Sequence, residues 1–328
     1  MNPICRYSDL HTALACAAVA ILAACGGGGS SSVLSTAPAP GGNATGPSGT
    51  STAGVLCDLK AAGSQAIATV GTERSTTTTS LPFQYAWSCS TSSRSLVSNG
   101  IPDHAITGGN FATPISIQSL SVSMSLSPSI VNASGTPLGG PNGAPGYSLN
   151  GIKFDPGTAG TCTLTACDPA GNGGAWRMEA LGGSFRFGTD ANNAHVQPNG
   201  EYHLHGVPEA LLARLATGGA PAMTLVGWAA DGFPVYARYG YASAMDAASG
   251  VRNMKSSYRV KGTLDAGRPS PATYLPGSFT QDWEYAAGSG DLDECNGRNG
   301  VTPEFPKGIY HYFMTDSYPF IQRCVKGR

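Results

Sequence analysis

Apolar and polar residues alternate over short stretches along most of this chain, which is the period of half-buried β-strands. The longest such stretch, 114–128, places Ile115, Ile117, Leu120, Val122, Met124 and Leu126 among Ser and Gln. Residues 183–188, 201–205, 224–228, 235–239 and 308–315 carry the same signature. Turn residues recur between them, including Asn99-Gly100, Pro141-Asn142-Gly143, Asn199-Gly200, Asp231-Gly232, Asn296-Gly297 and Asn299-Gly300. Helical spacing appears once: Pro208 fits a first turn, Glu209 to Ala216 follows, and Gly218-Gly219 stops it. The pattern predicts a mainly-β fold. It is a single large β-sandwich-like domain with long loops and one short helix near 208–217.

The pattern breaks down at the N-terminus. Residues 12–24 form an apolar run of small residues after Arg6, too short to span a bilayer. The run ends in Leu22-Ala23-Ala24-Cys25, which resembles a bacterial lipoprotein cleavage box. That resemblance implies a signal peptide over 1–25, lipidation of Cys25 and a membrane partner reached through the lipid anchor. Gly26 after the cysteine suits the outer membrane of a Gram-negative envelope, facing the periplasm. Residues 26–54 are Gly/Ser/Pro-rich and uncharged, the composition of a flexible linker. The folded domain is expected over 55–328.

Charge excludes some functions. Charged residues are 12 % of the chain, about half the usual share, and the net charge is −1. No basic patch argues for nucleic acid, and no acidic tract for a cationic partner.

Of nine cysteines, three fall in or at the end of the signal. Cys57, Cys89, Cys162, Cys167, Cys295 and Cys324 remain, an even number in an exported chain. Neighbour pairing is expected because short loops close at the least entropic cost: Cys57 with Cys89, Cys162 with Cys167, Cys295 with Cys324.

The chemistry rests on histidines. Tyr202-His203-Leu204-His205 reads as a strand, so His203 and His205 leave the same face while Tyr202 and Leu204 leave the other. His195 lies eight residues earlier, and Pro198-Asn199-Gly200 supplies a turn that returns it to the same strand pair. His311, in Ile309-Tyr-His-Tyr-Phe313, sits in a strand of similar composition and is the expected third partner from elsewhere. Neutral imidazoles on adjacent strands suit copper or zinc. Asp231, Asp103 and His104 are candidates for supporting hydrogen bonds. Further acidic candidates are Asp155, Asp291, Asp293 and Glu294.

Other motifs weigh less. His203-x-His205-x3-Glu209 matches the first metal motif of cupins, yet Glu209 opens the helix and Thr315 stands where a later asparagine is expected. Asp291-Leu-Asp293-Glu-Cys295 has the spacing of a calcium loop, but a cysteine takes a ligand position, so it reads as a disulfide-pinned turn. No Gly-x-Ser-x-Gly is present. Trp228, Tyr236, Tyr239, Tyr241, Trp283 and Tyr285 read as core aromatics before they read as a ligand groove.

Taken in order, several segments resemble the YHYH-domain family. They are Asn99 to His104, Gly151-Ile-Lys-Phe-Asp-Pro156, Asn193 to Gly200, Tyr202-His-Leu-His-Gly206, Gly227 to Tyr236, Gly288 to Gly297, Gly308 to Phe313 and Tyr318-Pro-Phe320. Leu204 replaces the second tyrosine of the family's name. The resemblance implies a domain and its motif positions, and no reaction. The leading expectation is a lipid-anchored envelope protein binding copper or zinc. A histidine- or metal-dependent envelope enzyme such as a hydrolase, and a non-catalytic binding or structural module, are the alternatives.

Overall fold

Two long strands rich in small and hydroxyl residues open the first layer. In this computed structural model residues 51–71, 75–171, 173–185 and 187–327 are described. The signal peptide, Cys25 and nearly all of the linker lie outside the described residues. No helix among the described residues is long and apolar enough to cross a membrane.

Strands β1 (Lys60–Gly71), β2 (Ser75–Cys89), β3 (Ser93–Ser98) and β4 (Leu120–Ser125) form an antiparallel meander in that order. The second layer is a mixed eight-stranded sheet. Its members are β5 (Gly146–Ser148), β6 (Lys153–Phe154), β7 (Ala194–Val196), β8 (Tyr202–Leu204), β9 (Thr224–Ala229), β10 (Pro234–Ala237), β11 (Gly297–Gly300) and β12 (Ile309–Met314). In space they run β7-β8-β6-β5-β9-β10-β12-β11. The pairs β8/β6 and β10/β12 are parallel and the rest antiparallel. The helix α1 spans Glu209–Leu215 and buries Leu211 and Leu212.

The two sheets share one apolar core. Ile67, Tyr85, Trp87, Leu96 and Met124 of the first pack with Phe154, Leu204, Trp228, Val235 and Phe313 of the second. Polar contacts cross the same interface. Trp87 Nε1 donates to the Leu149 carbonyl at 2.8 Å. The Arg94 guanidinium lies 3.6 Å from the Trp228 ring centroid and donates to the carbonyls of Thr52 and Val55. Burial pulls its pKa down to about 10.

All three expected disulfides are present: Cys57–Cys89, Cys162–Cys167 and Cys295–Cys324. One expected strand is shorter than expected and another does not form. Only Leu120–Ser125 of 114–128 pairs; before it the chain is tied down singly, Ser116 N to Gly200 O and Gln118 N to Asn99 O. The described residues among 183–188 form no strand, and Gly183 and Gly188 both take positive φ. Phe185 and Phe187 join a small second cluster with Trp176, Met178, Phe279 and Tyr274.

Candidate metal centre

The hairpin β7–β8 is set by its turn. Gln197 N donates to Glu201 O, Gly200 N to Gln197 O, and Glu201 N to Asn199 Oδ1. Gly200 sits at φ +85°, and a Cβ there would come within 2.0 Å of Ser116 Oγ, so only glycine fits. The resulting register puts His195 directly opposite His203. His205 follows two residues along on the same face.

The three imidazoles converge. His205 Nε2 lies 3.0 Å from His203 Nε2 and 3.0 Å from His195 Nε2. Carbonyl oxygens accept and never donate, so the other ring nitrogens define the tautomers. His195 Nδ1 donates to Phe187 O at 2.8 Å and His203 Nδ1 to Glu201 O at 3.2 Å. Both rings therefore carry their proton on Nδ1 and present a bare Nε2 to the centre. His205 Nδ1 is buried without a hydrogen bond of good geometry, although the Pro156 carbonyl faces that ring. One proton on His205 Nε2 satisfies one neighbour and leaves the other lone pair facing nothing. A cation satisfies all three.

Burial keeps the rings neutral. His203 and His205 are each 2 % exposed and His195 is partly exposed. Burial pushes His203 well below the ordinary imidazole range, and His195 adds to it. His205 is lowered likewise by burial, then by His203, His195 and Arg323. His195 is lowered by burial against the opposing pull of the Phe187 carbonyl, Asp155 and Asp190. Neutral imidazole is the form that binds metal.

Strand β6 supplies a polar border on the same face. Lys153 pairs with His203 in the parallel register, and Asp155 follows, its N–H on the Leu204 carbonyl. Asp155 accepts from Gly140 N and Gln197 Nε2, both at 2.8 Å. Lys153 Nζ reaches Glu201 and Gln197 Oε1. Of these only Asp155 stands among the sequence candidates. The signal for Lys153 was available: Lys153-Phe-Asp155 has the same i, i+2 spacing as the histidine pair.

The remaining candidates lie elsewhere. His311 is on β12, with four strands between it and β8, roughly 24 Å away at ordinary strand spacing. Its Nδ1 donates to Ile309 O at 2.9 Å, and its ring packs against Tyr236 and Phe313. Of the expected ligands His203, His205, His311 and His195, the structure brings together all but His311, and the set is corrected accordingly. Asp231 accepts from Tyr312 Oη at 2.6 Å, Gly327 N and Phe233 N, and no imidazole. It is the turn-forming aspartate between β9 and β10.

Asp103 and His104 belong to the opposite face of β8. Tyr202 Oη donates to Asp190 Oδ2 at 2.6 Å and lies 3.5 Å from His104 Nε2. Asn150 Nδ2 bridges His104 Nδ1 and Asp103, which also accepts from Tyr85 and Arg214. Glu209 is held by Arg238, not by a histidine. Asp291 pairs with Arg252. Asp293 caps the turn of the Cys295–Cys324 disulfide through Cys295 N and Gly297 N.

These features define a mainly-β, disulfide-bonded protein with a buried three-histidine cluster that could hold a metal ion. The chain belongs to the YHYH family: a family model described as YHYH protein matches residues 121–327. The match contains His195, His203, His205 and His311, while Asp103 and His104 precede it. No curated protein and no solved structure matches the chain.

Proposed function

We propose that this protein binds a transition-metal ion, zinc or copper, through Nε2 of His195, His203 and His205. The observation that carries this reading is the approach of three imidazole nitrogens, at least two of them bare, to one point. A tetrahedral ion with bonds of about 2.0–2.1 Å holds its nitrogens about 3.3 Å apart, close to the 3.0 Å on either side of His205 Nε2. Carbonyls on Nδ1 of His195 and His203 are the outer partners that metal-bound histidines usually have.

A second reading follows from the donor count. Three protein nitrogens leave a fourth position for water or substrate, the arrangement of catalytic zinc sites, and His195 is the ring nearest solvent. A hydrolase of the envelope fits that donor set. The envelope location itself rests on the resemblance of residues 1–25 to a lipoprotein signal. Incubating purified protein with Zn(II) or Cu(II), then exchanging buffer and measuring bound metal, tests the principal reading. Metal that stays bound in the native chain and is lost in His203→Ala supports it, whereas equal retention by both contradicts it.

A further inference from the structure

Beyond Asp155 the chain leaves β6 and forms one wall of a separate cleft of about 220 Å³. Arg177, Arg323, Thr158, Thr280, Asn142 and Gly157 line it. The opposite wall is the turn at Gly139–Asn142, fixed by the Gly140 N–H on Asp155. A Cβ at Gly157 would meet Gly140 N at 3.2 Å, so glycine lets the two walls approach.

Two guanidinium groups in so small a space call for an explanation. Arg323 is balanced by Glu179, to which it donates from both terminal nitrogens at 2.8 and 2.6 Å. Its Nε is buried with no acceptor. Arg177 donates one nitrogen to Thr158 O at 2.8 Å, and among the described residues no carboxylate lies within ion-pair distance of it. Among the described residues the cleft thus holds one guanidinium without a carboxylate partner, in a fork whose geometry fits a carboxylate, phosphate or sulfate.

We infer that this cleft is a binding site for a small oxyanion, with Arg177 as its principal contact and Arg323, its charge balanced by Glu179, as a fixed wall. The cleft adjoins the metal centre, since Asp155 borders both and Arg323 also lowers the pKa of His205, but none of the three histidines lines it. Its ligand is either a free inorganic anion or the phosphoryl group of a larger molecule entering through the mouth.

Chelator-treated protein is titrated calorimetrically with inorganic phosphate and, separately, with glycerol 3-phosphate, at constant ionic strength. Saturable binding of either is expected, and the tighter of the two identifies the source. Arg177→Gln is expected to weaken it about tenfold. Asn142→Asp, at an exposed position, places a negative charge in the cleft and is expected to weaken it similarly without altering either arginine. Binding should persist in His203→Ala. Absence of saturable binding up to about 10 mM, indifference to both cleft substitutions, or binding seen only with metal present overturns the inference.

Discussion

His195 and His203 stand directly opposite each other across the β7–β8 hairpin, each with its Nδ1 proton on a backbone carbonyl. The pairing is decided by the turn 197–201, so chemistry at the rings depends on backbone geometry at Gly200. Gly200→Ala forces a Cβ to within 2.0 Å of Ser116 Oγ at a positive φ. A loss of about 1–3 kcal/mol in folding stability is expected, together with weaker metal retention, from denaturant melts and metal analysis of one preparation. Normal metal retention in a destabilised variant would mean the turn does not set the site.

The two faces of β8 should separate in their effects. Tyr202→Phe removes the donor to buried Asp190, which keeps its bonds from Asn192 and Ala194. Stability is expected to fall by about 1–3 kcal/mol while metal affinity stays within a few-fold. Leu204→Tyr restores the family's tyrosine at a position that is 0 % exposed. Overpacking is expected to cost about 1–3 kcal/mol and to leave metal affinity unchanged. A tenfold change in affinity from either would place that face in the site.

His311 predicts a pH dependence. Burial is the main cause pushing its pKa down to about 3, with the Ile309 carbonyl opposing it. Between about pH 6.5 and 3 the unfolded chain therefore binds a proton at this residue that the folded chain does not. Stability from this group is complete above about pH 6.5 and falls with decreasing pH by up to about 1.4 kcal/mol per unit. His311→Phe, which keeps an aromatic ring between Tyr236 and Phe313, should flatten the profile over that window in urea melts of metal-free protein. Parallel profiles for the two proteins would contradict the assignment.

The disulfides should contribute according to the loops they close. Cys295–Cys324 and Cys57–Cys89 span 29 and 32 residues, and each is expected to contribute about 3–4 kcal/mol. Cys162–Cys167 spans only five and should contribute about 2 kcal/mol. Paired Cys→Ala variants compared by denaturant unfolding check the order. A larger loss from the short loop than from either long one would contradict it.

What the sequence made legible was local. Alternation located β8, β9, β10 and β12, helical spacing located α1, and Pro198-Asn199-Gly200 located the hairpin that carries His195. His195 and His311 were both legible as partners of the His203–His205 pair, but the choice between them was not, because strand order is a long-range property. Tyr310-His311-Tyr312 has the same alternation as Tyr202-His203-Leu204, and only the interposition of β6, β5, β9 and β10 separates them. The β1–β2 hairpin escaped notice because its Ser/Thr-rich stretch lacks an apolar face in the sequence. The strand pattern at 183–188 was outweighed by two glycines in positive φ. The contacts of Lys153 depend on a parallel pairing that no turn residue announces.

The most direct measurement of the central claim is metal stoichiometry with ligand identification. The purified native chain and a His203→Ala/His205→Ala variant are loaded with Zn(II) or Cu(II), desalted, and assayed for bound metal and for nitrogen coordination by X-ray absorption. One ion per native chain, coordinated by about three imidazoles, and no retained ion in the variant is the predicted result. At free metal a hundred times the dissociation constant, the native chain should also gain about 2.7 kcal/mol of stability that the variant lacks. Substoichiometric metal in the native chain, unchanged by both substitutions, would contradict the account.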